Sequence, residues 1–127
     1  MKAAYCLKWL QRRKDTLVSL CIGYLTARNF LNSGQPGLLM LGCGSLLCGF
    51  TSLAASILIN SSGNLTITVH NLGVLGAAVC HLGGLLWRGR LLRPGRWLVM
   101  SYTIVLATVA LLVWAAYSMI RPCVRIW

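Results

Sequence analysis

Two long stretches without a formal charge constrain this chain more than any other feature. Residues 37–59 form a run of 23 and residues 97–120 a run of 24. At about 1.5 Å per residue, a helix of either length exceeds the roughly 30 Å hydrocarbon thickness of a bilayer. A third stretch, residues 66–87, has 22 residues and no formal charge, but it includes His70 and His81. A helix buried in a soluble core needs only about 10–14 apolar residues, so all three read as membrane spans. The expected fold class is all-α, a small polytopic bundle of transmembrane helices.

The charges support this reading and remove several functions. Of 127 residues, 12 are Lys or Arg and one, Asp15, is acidic, for a net charge of +11. An ordinary soluble domain is about one-quarter charged, with both signs present. Here the basic residues cluster between the apolar stretches, at Arg12, Arg13 and Lys14, and again at Arg88, Arg90, Arg93 and Arg96. That is the pattern of membrane-surface loops, not of a phosphate-binding face spread along a soluble domain. The expected partner is a lipid bilayer, and no nucleic acid. A lone acid inside a basic cluster cannot supply the paired carboxylates of glycosyl transfer, a calcium cage or a Ser-His-Asp triad. No catalytic residue is assigned and no enzyme is expected. A small transporter is disfavoured too, because no Asp or Glu lies in the three spans.

The N-terminal region is ambiguous. Residues 16–27 give only 12 uncharged residues before Arg28. With Lys14 and Arg28 snorkelling toward the headgroups, the apolar length reaches about 17 residues, the lower limit for crossing. A fourth helix over 16–33 therefore either spans or lies at the interface. A signal peptide is the other reading, but the best cleavage position, after Ala27, has Leu25 where a small residue is required. The positive-inside count favours three crossings. Ten basic residues then share the cytoplasmic side and two, Arg121 and Arg125, the other, whereas four crossings divide them seven to five. Residues 1–15 read as a basic amphipathic segment, with Ala3, Cys6, Leu7 and Leu10 opposite Lys2, Lys8, Arg12 and Arg13. Such a face suits an anionic membrane surface. The bundle is expected over 16–120, with helices at about 16–33, 37–59, 66–87 and 97–120, and a short basic tail over 121–127.

Within the spans the sequence signals packing. Ser45 with Gly49, and Gly73 with Ala77, place small residues four apart, which lets helices approach closely in lipid. Gly73, Gly76, Gly83 and Gly84 make the third helix glycine-rich on several sides, so it is expected at the centre of the bundle. His81 lies in the inner half of that helix, where an imidazole is expected to hydrogen-bond a serine or carbonyl of a neighbour; with His70 and Asn71 it is a candidate for ligand or pH sensing. A haem ligand at His81 is the alternative, and it would need a histidine from another chain or subunit. His70 and Asn71 form a polar rim near Asn60 and Asn64, a candidate site for a polar ligand or for pH sensing through the imidazole. Cys6, Cys21, Cys43, Cys48, Cys80 and Cys123 form no CxxC pair; they read as small hydrophobes, with no metal site. The Trp and Tyr residues near the span ends form an aromatic belt.

Two stretches resemble a known family. Ala27-Arg28-Asn29-Phe30-Leu31-Asn32-Ser33-Gly34-Gln35-Pro36-Gly37-Leu38-Leu39 runs into Leu41-Gly42-Cys43-Gly44. Later come Thr66-Ile67-Thr68-Val69-His70-Asn71-Leu72 and Cys80-His81-Leu82-Gly83-Gly84. Over residues 16–118 they resemble the N-terminal multi-helix membrane sensor region of bacterial sensor histidine kinases and related signalling proteins. The resemblance implies a multi-pass inner-membrane input module that normally continues into PAS, kinase or cyclase domains. It also implies that the stretch before Ala27 crosses the membrane. This sequence shows no phosphoacceptor or ATP-binding motif, so a stand-alone or truncated sensor module is expected. Its function would be non-enzymatic sensing or anchoring, coupled by helix packing to a membrane or cytoplasmic signalling protein or to a second copy. The alternative is a small accessory subunit of a membrane complex, possibly a redox one.

Overall fold

A computed structural model of the chain describes residues 2–58 and 63–124, with side chains described for 10–11, 13–58 and 64–118. Among the described residues there are four α-helices: α1 (Lys2–Ser33), α2 (Pro36–Leu58), α3 (Gly63–Leu86) and α4 (Pro94–Val124). Three of them, α2, α3 and α4, are long and apolar enough to cross a bilayer. The all-α bundle expected from the sequence is what forms.

The connections explain the helix ends. Gly34 closes α1 with φ at 67°, and its N–H donates to the Phe30 carbonyl at 2.7 Å. This is the left-handed cap that glycine adopts without a Cβ penalty. Pro36 then opens α2 and Pro94 opens α4, because a missing N–H costs nothing in the first turn of a helix. Both helices therefore begin slightly before the long uncharged runs do. The loop over 87–93 is tied to the α1–α2 turn by the Leu91 N–H, which donates to the Gly34 carbonyl at 2.9 Å.

α1 differs most from expectation. It is one continuous helix from Lys2 to Ser33, with no break between the basic segment and the apolar one. It runs antiparallel beside α2, with Gly23 against Leu46, Thr26 against Gly42 and Ser19 against Gly49. These three close approaches hold α1 beside α2, while α1 is not among the described helices long and apolar enough to cross a bilayer, in keeping with a count of three crossings. One end of the bundle thus carries the start of α1 with Lys14, and the other carries Arg28, Arg88, Arg90, Arg93 and Arg96.

The centre of the bundle is α2, not the glycine-rich third helix. Within their most apolar stretches, 56% of α2 is buried, against 17% of α3 and 6% of α4. α1 and α3 flank α2 and do not approach each other among the described residues. The reason lies in where the small residues point. α2 offers Gly42 and Gly49 to α1, Gly44 to α3, and Gly42 also to Tyr102 of α4, so it is notched toward all three neighbours. On α3, Gly73, Gly76 and Gly84 all face α2, while Gly83 faces open space. One core cluster gathers Phe30, Leu39, Cys43, Leu46, Leu47 and Val105 near the arginine-rich end; another gathers Ala54, Leu58, Val69 and Ala116 near the opposite end.

Candidate functional site

Near the end opposite the arginine loop, a cleft of about 360 Å³ is lined by Asp15 of α1, Ser52 and Ala55 of α2, and Thr66, Ile67 and His70 of α3. Helical geometry makes the lining. Ser52 lies six residues before the end of α2, and His70 lies two turns into α3, so the antiparallel pair puts them at one level. The Ser52 hydroxyl and His70 Nδ1 are 3.5 Å apart, at the outer limit of a hydrogen bond. The cleft gathers a carboxylate, two hydroxyls and an imidazole around one space, enough to hold a small cation or a polar ligand by hydrogen bonds.

These are also the residue types of a hydrolytic triad, which the sequence analysis set aside because Asp15 sits among basic residues. The structure brings Ser52, His70 and Asp15 to one cleft without the triad's geometry. His70 meets Ser52 only at that long distance, and among the described residues no hydrogen bond joins His70 to Asp15. A triad needs the base held by its acid and in bonding reach of its nucleophile.

The other sequence candidates are dispersed. Asn71 is exposed and does not line the cleft. His81 stands at the α2–α3 contact, where a Cβ on Gly44 would lie 2.7 Å from its Cε1 and 3.0 Å from its Nε2. The expected bond to a neighbouring serine or carbonyl does not form: Nδ1 is buried with no hydrogen-bond partner among the described residues. The imidazole is used for its shape, as a flat knob against the bare backbone of Gly44. A haem ligand must turn one ring nitrogen toward an open axial site. His81 turns Nδ1 into protein and Nε2 onto Gly44, so the residues present do not fit that group.

The packing candidates lie on two interfaces rather than one. Gly49 is buried against Ser19 of α1, with Ser45 half-buried nearby. Gly73 is buried against Thr51 of α2, and Ala77 is buried with its carbonyl beside Gly44. Sequence reasoning missed the threonines. Thr51 is fully buried and donates its hydroxyl to the Leu47 carbonyl at 2.7 Å. Thr26 does the same to Ile22 at 2.7 Å. Each hydroxyl is satisfied within its own helix, so each side chain fits a glycine of the next helix, Thr51 at Gly73 and Thr26 at Gly42. A Thr four residues after a carbonyl, with a Gly in a neighbouring apolar run, was the available signal.

Among the membrane-surface basic residues, Arg13, Lys14, Arg88, Arg90, Arg93 and Arg96 are exposed, and Arg12 lies outside the described side chains. Cys21, Cys43, Cys48 and Cys80 are free thiols. In comparisons with known proteins, the chain matches no family model, no curated protein and no solved structure. The resemblance to sensor-kinase membrane regions thus rests on the sequence alone.

Proposed function

We propose that the protein is a non-enzymatic integral membrane module that senses or anchors, and that it acts on a partner by helix packing in the inner membrane of a bacterium. The observation that carries this reading is α4. It has a 25-residue span whose most apolar 18-residue stretch is 6% buried, and it displays Ile104, Leu111 and Trp114 outward. In lipid an apolar face gains little from another apolar helix unless the shapes fit, so this face is free for lipid or for a matching helix. α1, α2 and α3 form the fixed unit, and the Asp15–Ser52–His70 cleft is the place where a ligand would act. A ligand there shifts the bundle only by binding one packing more tightly than another. The partner then reads the change through α4.

The test is photo-crosslinking in the native membrane from positions 104 and 111, with mass spectrometry of what is captured. A kinase, response regulator or cyclase supports the sensory reading. Subunits of a respiratory or other membrane complex move the protein to the accessory class, which the same bare face of α4 would serve. Sensing at the histidines is overturned if His70→Ala and His81→Ala leave both partner binding and signalling unchanged.

A further inference from the structure

At the arginine-rich end, the α1–α2 turn and the 87–93 loop enclose an open cavity of about 540 Å³. Gln35, Pro36 and Gly37 line one side, Gly84 the floor, and Trp87, Arg88 and Arg90 the other side. We propose that this cavity binds the phosphate of an anionic phospholipid headgroup, an inference that rests on the bilayer placement above.

Charge accounting comes first. Asp15 is the only acidic residue in the sequence, and it lines the cleft at the opposite end of the bundle. No carboxylate side chain of this chain can therefore neutralise Arg88 and Arg90, and their counter-anion comes from outside. Arginine forks match phosphate oxygens in geometry as well as in charge. Basic pockets between membrane helices bind lipid headgroups by the same rule.

The cavity is also built to stay open at this depth. The Leu91–Gly34 hydrogen bond, at 2.9 Å, holds the two loops together. Gly84 in the lining packs closely on α2, since a Cβ there would lie 2.9 Å from Met40 Cβ and 3.2 Å from the Gly37 carbonyl. Trp87, the residue after the end of α3, is half-exposed, as an indole at the headgroup level is. The first N–H groups of α2 lie on the same side and add to the positive field, though the arginines carry the proposal. Phospholipid is the source the site fits, since its headgroups are held at this level while the acyl chains extend along the apolar faces of α2 and α3.

The experiment is native mass spectrometry of the full chain released from nanodiscs of phosphatidylcholine with phosphatidylglycerol. The wild type should retain phosphatidylglycerol in preference to phosphatidylcholine. Arg88→Gln with Arg90→Gln should lower that retention about tenfold, while Arg93→Gln with Arg96→Gln, an equal charge loss outside the cavity lining, should lower it far less. Equal losses in the two double variants, or retention of both lipids alike, overturn the site. Displacement of the lipid by excess inorganic phosphate assigns the anion to a soluble source and also overturns the lipid proposal. An alkaline wash of the membranes keeps the two claims apart. Release of the protein overturns the bilayer placement, whereas a protein that stays in the membrane without retaining the lipid overturns the site alone.

Discussion

α3 and α4 are both apolar enough to span a bilayer and both pack on α2, yet they are held in different ways. α3 meets α2 through notches: Gly73 receives Thr51, Gly76 receives Leu47, and Gly44 of α2 receives His81. α4 meets it at a single notch, where the Tyr102 hydroxyl lies against Gly42, and otherwise through a seam of larger residues, Leu98, Val105, Val109, Val113 and Ala116, of which only Val105 and Ala116 are buried. Its described polar tie to the rest of the bundle is the Tyr102 hydroxyl, which donates to the Gly23 carbonyl of α1 at 2.7 Å. Apolarity does not bring helices together in lipid, where the surroundings are equally apolar. Close backbone approach and interhelical hydrogen bonds do. A helix held by several notches is therefore fixed, and one held by a single notch and a loose seam leaves most of its face available to something else.

That contrast breaks most readily at Gly73. A methyl group there would collide with Thr51 Oγ1 and Cβ, so Gly73→Ala should cost about 2–3 kcal/mol by overpacking. Reversible unfolding by SDS in mixed micelles reads it, and unchanged stability would mean that α2 and α3 do not meet through this notch. A smaller loss, about 1 kcal/mol, is expected for Tyr102→Phe, which removes one neutral hydrogen bond. A loss as large as that of Gly73→Ala would make α4 as firmly held as α3 and end the comparison. The smallest effect has the opposite sign. Gly83 lies on the same helix as Gly73 with nothing within 4 Å of where its Cβ would be. Gly83→Ala should stabilise by about 0.5 kcal/mol through helix propensity alone. A destabilised Gly83→Ala protein would show that a second surface of α3 is packed.

Much of the architecture was legible because it follows from local rules. Uninterrupted apolar runs gave the helices at 37–59, 66–87 and 97–120 to within a few residues. The errors came where one region's placement depends on another. A count of loop charges favoured three crossings, and the three described helices long and apolar enough to cross are α2, α3 and α4; that count says nothing of Gly23, Thr26 and Ser19, which set α1 against α2. Glycine content placed the third helix centrally, but number is not direction: its glycines that make close contacts face one neighbour, whereas those of α2 face three. His81 looked like a hydrogen-bonding group because imidazoles usually are, and only the position of Gly44 shows it acting as a packing surface.

The candidate site divides in the same way. His70 stood out in the sequence as a polar residue at the mouth of an apolar run. Asp15 did not, since it sits 55 positions away among basic residues, and no periodicity links α1 to α3. Composition and hydrophobic run length by themselves determined that this is an all-helical chain with three stretches able to span a bilayer, because each helix satisfies its own backbone and needs no partner to do so. Which helix lies at the centre, which side chain fills which glycine, and that the lone acid shares a cleft with Ser52 and His70 were decided only by the tertiary structure. Those relations depend on the rotation and register of one helix against another, and in a nearly uniform apolar sequence no local pattern encodes them.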